Sequence, residues 1–244
     1  MLHWLGNARM RLIAPRFTAA LIATVGLMLL PLQSSTRSAT IVDLILVLAL
    51  DVSGSVDQFE FELQQRGLAE AIRNPAVLQT IRRGGRKRIA VIAVQWAGTG
   101  RQEVSVPWQI IGDRAAAEQF SADLMRTPRA FLNSQTDLTG VIDYCVELAV
   151  SAPFAAPRMV IDISGDGMDN VQYAPHRARD RAVLAGITVN GLAILNDAPW
   201  LDRYYRQNVI GGHGAFVMKA KDYEAYTVAI LRKLLREIDQ HFVT

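Results

Sequence analysis

Residues 41–57 read Ile41-Val42-Asp43-Leu44-Ile45-Leu46-Val47-Leu48-Ala49-Leu50-Asp51-Val52-Ser53-Gly54-Ser55-Val56-Asp57. From Ile41 to Leu50 the run is almost unbroken Val, Ile, Leu and Ala, which suits a strand covered on both faces. It ends in a turn with oxygen side chains at alternate positions, Asp51, Ser53 and Ser55, and Gly54 lets the chain bend tightly between the serines. Asp57 stands where an N-cap would precede the helical spacing of Phe59 to Ile72. A buried strand, a polar turn and a helix open an α/β domain.

The alternation continues along the chain. Ile89 to Trp96 and Arg158 to Ile163 read as core strands, and so does Ile187 to Ile194. Val104-Ser105-Val106-Pro107-Trp108 reads as an edge strand antiparallel to the one before it, because its proline lacks the N–H of a central ladder. Helices are expected near 113–126, 138–150, 175–185 and 199–208, a short last strand over Ala215 to Lys219, and a closing helix from Tyr223 to His241. The predicted fold class is α/β: a doubly wound, mostly parallel central sheet with an antiparallel edge strand and helices on both faces.

Composition narrows the classes. The 244 residues are 50% hydrophobic and 20% charged with one cysteine, enough apolar material for a large core and too little cysteine for a disulfide framework. Lys and Arg number 26 against 23 acids, but four of the arginines lie in residues 1–39, which hold no acid, so the remaining chain is close to neutral. A nucleic-acid partner loses its electrostatic basis. Within residues 1–39, Arg9, Arg11 and Arg16 precede an uncharged apolar run from Phe17 to Leu32 and then the small residues Ser34 to Ala39. That order is the one of a secretory signal, and the run is shorter than a spanning helix requires. The expectation is a signal peptide over 1–39 and an exported domain over 40–244, periplasmic or secreted, with no stable membrane span after cleavage. Retention of the segment as an inner-membrane anchor is the alternative.

In open parallel sheets, ligands bind beyond the carboxyl ends of the strands. Two strands end there in polar turns, Asp51-Val52-Ser53-Gly54-Ser55 and Ser164-Gly165-Asp166-Gly167, and Thr136 opens a helix between them in sequence. Each turn alone reads as cap and turn chemistry. Together, two carboxylates and three hydroxyls without His or Cys form a hard-oxygen set, suited to Mg²⁺, Mn²⁺ or Ca²⁺. The set is reachable only if the two strands are neighbours.

Asp51-Val52-Ser53-Gly54-Ser55, Thr136 and Asp166-Gly167 resemble, in order and spacing, the metal-ion-dependent adhesion site (MIDAS) of von Willebrand factor A domains. More closely, the chain resembles the exported bacterial domain-of-unknown-function family 1194 (DUF1194). The resemblance is carried by Val42 to Asp57, Val94-Gln95-Trp96-Ala97-Gly98, Val106-Pro107-Trp108, Ile161 to Gly167 and Val209 to Phe216, and it extends over about residues 41–240. It implies a non-catalytic binding module. Ser53 and Ser55 would ligate the cation directly, Thr136 would do so in the ligand-bound form, and Asp51 and Asp166 would act largely through water. The open coordination position would accept a carboxylate from a partner protein. Asp137, next to Thr136, departs from the pattern; it reads as a helix-start acid or as an auxiliary carboxylate.

A second reading is a Mg²⁺-dependent phosphatase of haloacid-dehalogenase type, with Asp51 as nucleophile and Gly165 to Asn170 as the last motif. Ser53 stands where that chemistry needs an acid, and Lys87 is the only lysine between the motifs. Arg82 to Arg88 reads as a solvated basic loop, and Cys145 as a buried small hydrophobe. Trp96, Trp108, Tyr204 and Tyr205 read as core aromatics before recognition residues.

Overall fold

The computed structural model describes residues 39–171 and 174–239. The expected signal peptide therefore lies, but for Ala39, outside the described residues. In chain order the elements are β1 (Thr40–Ile41), β2 (Ile45–Asp51), α1 (Gln58–Ile72), α2 (Pro75–Arg83), β3 (Ile89–Trp96), β4 (Gln102–Ile111), α3 (Arg114–Arg126) and α4 (Leu138–Val150), followed by β5 (Phe154–Ala155), β6 (Met159–Gly165), α5 (Pro175–Leu184), β7 (Ile187–Ile194), α6 (Leu201–Asn208), β8 (Val217–Ala220) and α7 (Tyr226–Ile238).

Six strands form one sheet in the order β4-β3-β2-β6-β7-β8, and β1 and β5 form a separate parallel pair. Within the six, only β3 and β4 run antiparallel. The ladder shifts register opposite Ile92, where Pro107 sits, so the proline occupies a bulge on the edge strand and no ladder bond is lost in the sheet interior. β2 is the switch point: β3 lies on one side of it and β6 on the other, with Leu50 opposite Ser164. The polar turns after β2 and β6 are therefore adjacent.

All seven residues of β2 are buried, and their alternation builds two cores. Leu46, Leu48 and Leu50 pack with Phe61 and Leu68 of α1, Ile81 of α2, Phe120 of α3 and Ile230 of α7. Ile45, Val47 and Ala49 pack on the other face with Val141 and Cys145 of α4, Ala178 of α5 and Tyr205 of α6. Cys145 is buried, and burial pushes its thiol well above the ordinary range. Trp96 and Tyr205 are core residues, whereas Trp108 and Tyr204 are half-buried.

The structure corrects several boundaries. The first expected strand divides, because Asp43 turns inward to accept the backbone N–H of Arg86 at 2.9 Å and of Arg88 at 3.4 Å, which fixes the basic loop. Helix α2 escaped the sequence reading although its signals were present: Asn74 caps it through Ala76 N, and Pro75 occupies the first turn. The last helix begins at Tyr226 rather than Tyr223.

A buried charge cluster was also unforeseen. Lys233 of α7 lies 2.7 Å from Asp162 of β6 and 2.5 Å from Glu237, with all three side chains essentially inaccessible. Asn190 donates to Glu237 at 2.9 Å and accepts from Phe216 N at 3.0 Å. Burial, with Asp162 alongside, pushes the Glu237 carboxyl up to about 7. Removing one member of such a group strands the others in a medium that solvates charge poorly. Lys233→Met is expected to cost about 3–5 kcal/mol in urea unfolding, and adding Asp162→Leu to recover most of that loss. Absence of recovery would place the cost in packing or in Glu237, which stays buried without the lysine, and not in Asp162.

Candidate metal centre

The turn after β2 is built by its own side chains. Asp51 Oδ1 accepts the N–H of Ser53 at 2.8 Å, folding the carboxylate back over the turn. Gln64, buried on α1, donates to Asp51 O at 2.9 Å, and Arg129 donates to Val52 O at 3.1 Å and Ser53 O at 2.8 Å. Gly54 donates to Ser134 O at 2.8 Å, and a Cβ on it would lie only 3.0 Å from that oxygen. The close approach therefore accounts for the glycine.

The loop between α3 and α4 is pinned just as firmly. Gln95, buried in β3, donates to Pro128 O at 2.9 Å and accepts from Ala130 N at 2.8 Å. Asn170 clamps Thr136 from both sides: its side-chain oxygen accepts from Thr136 N at 2.8 Å, and its own N–H donates to Thr136 O at 3.1 Å. Thr136 is thereby turned toward the β2 turn, 3.3 Å from Ser53 Oγ.

These supports bring five sequence-predicted residues together. Ser53 Oγ lies 3.3 Å from both Ser55 Oγ and Thr136 Oγ1, and Ser55 donates to Asp166 Oδ1 at 2.7 Å. Asp51, Ser53, Thr136 and Asp166 are buried and Ser55 is exposed, so the crevice opens past Ser55. Asp137 points elsewhere: it caps α4 by accepting from Gly140 N at 2.8 Å. Burial raises its carboxyl, with Asp169 rather than Asp51 or Asp166 as the main neighbouring charge.

The electrostatics are unbalanced. Burial, reinforced by Asp166, holds Asp51 well above the usual carboxylate range, and burial raises Asp166 as well. Among the described residues no ion pair reaches either acid. Asp51 Oδ2 is buried without a hydrogen-bond partner, as is the Tyr205 hydroxyl. Tyr223 donates to Asp166 Oδ2 at 3.1 Å. No three His, Cys, Asp or Glu side chains converge among the described residues, because three of the five oxygens here are hydroxyls. The donor set fits a hard divalent cation, and the orphaned Asp51 oxygen is the atom such an ion would satisfy.

Gln64, Gln95, Arg129, Asn170 and Tyr223 escaped the sequence reading as supports of the site, and Tyr205 was read there only as a core aromatic. Gln95 alone carried a signal: it is the one strong hydrogen-bonding side chain in an otherwise apolar strand.

Solved structures, among them a von Willebrand factor type A protein, share this fold. Proximal thread matrix protein 1 of the mussel byssus matches with a TM-score of 0.60 at 12% identity, over 80% of this chain and 47% of that one. A von Willebrand factor type A protein from Catenulispora acidiphila matches with a TM-score of 0.57 at 17% identity, over 81% and 43%. The mussel protein has also been solved with a zinc-occupied MIDAS motif, at a TM-score of 0.56 and 11% identity over 82% and 47%. The chain thus spans less than half the length of these proteins, and at such identities the likeness concerns the fold. No curated protein matches the chain. The chain belongs to the family described as "Protein of unknown function (DUF1194)", whose model matches residues 41–242.

Gly165 tests the crowding at the site. A Cβ there would lie 2.7 Å from Asp51 Oδ2 and 2.8 Å from the Tyr205 hydroxyl. Gly165→Ala is expected to lower stability by about 1–3 kcal/mol, measured by denaturant unfolding. An unchanged midpoint would mean that Asp51 is free to move.

Proposed function

We propose that the protein is an exported, non-catalytic module that binds a partner protein through a divalent cation, Mg²⁺ or Mn²⁺ before Ca²⁺. The observation that carries the reading is the convergence of Asp51, Ser53, Ser55, Thr136 and Asp166 from three loops, with two buried carboxylates lacking a counter-charge. Ser53, Ser55 and Thr136 would hold the ion through their hydroxyls, with Asp51 and Asp166 behind them. When bound, the ion supplies charge neutralisation and an open coordination position for a partner's carboxylate. The zinc-occupied motif of the mussel protein supports a divalent metal at a site of this type.

The phosphatase reading is not favoured. Ser53 holds the position where that chemistry needs its second acid, and its Oγ lies 3.3 Å from the hydroxyls of Ser55 and Thr136. Lys87 precedes β3 and so lies at the opposite end of the sheet, roughly 25 Å away along an eight-residue strand.

Calorimetric titration of EDTA-stripped protein tests the site. Mg²⁺ or Mn²⁺ is expected to bind wild type and to raise its stability by about 2.7 kcal/mol at a hundredfold excess over Kd. Asp51→Ala should lose this response and remain folded. No binding to wild type, or equal binding to Asp51→Ala and Asp166→Ala, would sink the reading.

The export reading rests on the order of residues 1–39, basic, then apolar, then small. Mass spectrometry of the protein from its native host should find a mature chain starting near Ser38 or Ala39. A species retaining Arg16 and the apolar run would indicate an anchor instead.

A further inference from the structure

The rim of the crevice has a chemistry of its own. The exposed large hydrophobic residues among those described include two aromatics, Phe59 at 60% and Trp200 at 44% exposure, and both lie on elements that frame the crevice. Phe59 is in the first turn of α1, directly after the β2 turn. Trp200 immediately precedes α6, on the β7–α6 connection. The two elements touch, since Asn196 donates to Glu60 at 3.0 Å. Met168, 47% exposed, follows Gly167, which abuts Thr136. The backbone N–H of its neighbour Asp169 donates to the hydroxyl of Tyr204, one turn of α6 beyond Trp200, at 3.3 Å. Leu132, 63% exposed, precedes the Asn133–Ser134 segment packed on Gly54.

Acids stand among these apolar side chains. Asp57 and Asp197 are exposed, and Glu60 is half-buried between them. Each of the three adds to the negative field around the others or around Asp166. No ion pair among the described residues includes any of them. Arg129, on the opposite side of the turn, is committed to the carbonyls of Val52 and Ser53. A divalent ion would neutralise Asp51 and Asp166 but leave this rim negative. A bare carboxylate approaching the ion would then meet uncompensated repulsion from Asp57, Glu60 and Asp197. Opposite charges flanking that carboxylate would remove the repulsion and speed encounter.

We propose that the crevice docks an extended polypeptide segment whose acidic residue is flanked by Lys or Arg and by a large apolar side chain, the basic residues meeting Asp57, Glu60 and Asp197 and the apolar one meeting Phe59 and Trp200. This rests on the cation-dependent reading above, and it adds the partner's chemistry to it. Phosphate polymers are disfavoured by the same acidic rim. An ordinary acidic surface is disfavoured too, because its neighbouring charges would be negative.

The test uses short synthetic peptides with a central Glu flanked by Lys, by Ala or by Asp, with and without an adjacent Phe. Binding to the whole exported domain is read by fluorescence anisotropy in Mg²⁺ and in EDTA, beside calorimetry of Mg²⁺ alone. The Lys-flanked peptide is expected to bind about five- to tenfold tighter than the Ala-flanked one and to lose binding in EDTA or when its Glu becomes Gln. Asp197→Asn with Glu60→Gln, which keeps the cap of α1, should bring the two peptides within about twofold while Mg²⁺ still binds. Trp200→Ser should weaken only the Phe-bearing peptides. Equal or tighter binding of the Ala- or Asp-flanked peptide, or a Lys preference that survives in the double variant, would overturn the proposal and leave the metal site standing. Absence of Mg²⁺ binding to wild type would remove the metal site itself. Self-association in sedimentation that is abolished by Trp200→Ser would assign the surface to a second copy and overturn the proposal as well.

Discussion

Two parallel strands that hydrogen-bond to each other place their carboxyl ends side by side, and in this chain both continue into an acid. Asp51 and Asp166 are forced together by the pairing of β2 with β6, not by attraction. The surroundings do little to relieve the conflict. The helical layer on one face contributes the buried Tyr223 hydroxyl to Asp166, and the layer on the other sets buried Tyr205 near Asp51. A neutral hydroxyl can orient a carboxylate but cannot discharge it. The remaining architecture of this end follows from holding the arrangement in place: Gln64 and Arg129 fix the first turn, Gln95 the long loop, and Asn170 the threonine. The scaffold uses four polar side chains, Gln64 and Gln95 among them buried, to keep three hydroxyls turned toward two acids.

The strands that build this frame could be read from the chain because they are buried on both faces. Ile89 to Trp96 and Ile187 to Ile194 lie where continuous hydrophobicity puts them. The five site oxygens were legible for a related reason. Four of them lie at strand ends or in the turns that follow, where a polar side chain has no packing role and reads as chemistry, and Thr136 stands just before the cap of α4. Apart from Gln95, their supports were not legible, since a glutamine or arginine serving a loop carbonyl looks in sequence like any surface residue. Arg129 and Asn170 reach carbonyls and amides 76 and 34 positions away in the chain. Only the fold creates those pairings. Helix α2 is a different failure: nine residues with a cap and a leading proline were available, but the charge run at its end drew attention toward a loop.

The other buried acids show how this fold treats charge when stability alone is at issue. Asp162 of β6 lies four residues before Asp166, which follows the strand, and both meet the layer that contains α7: Asp162 faces Lys233, and Asp166 accepts from Tyr223. α7 sends Lys233 to Asp162, adds Glu237, and lets Asn190 complete the network. Asp43 is satisfied by backbone N–H groups of the basic loop. At both places the chain supplies the compensating group itself.

At Asp166 the same stretch of chain behaves differently. The segment leading into α7 offers Tyr223, a donor without charge, ten residues before the lysine that α7 offers to Asp162. A cation in Tyr223's place would have relieved Asp166 and closed the crevice electrostatically. Its omission leaves the pair Asp51 and Asp166 with negative charge that can be balanced only from outside the chain. The opening past exposed Ser55 is the route by which such a charge would arrive. The chain thus pairs Asp162 with its own lysine and satisfies Asp43 with its own backbone, and it gives Asp51 and Asp166 no cation of their own.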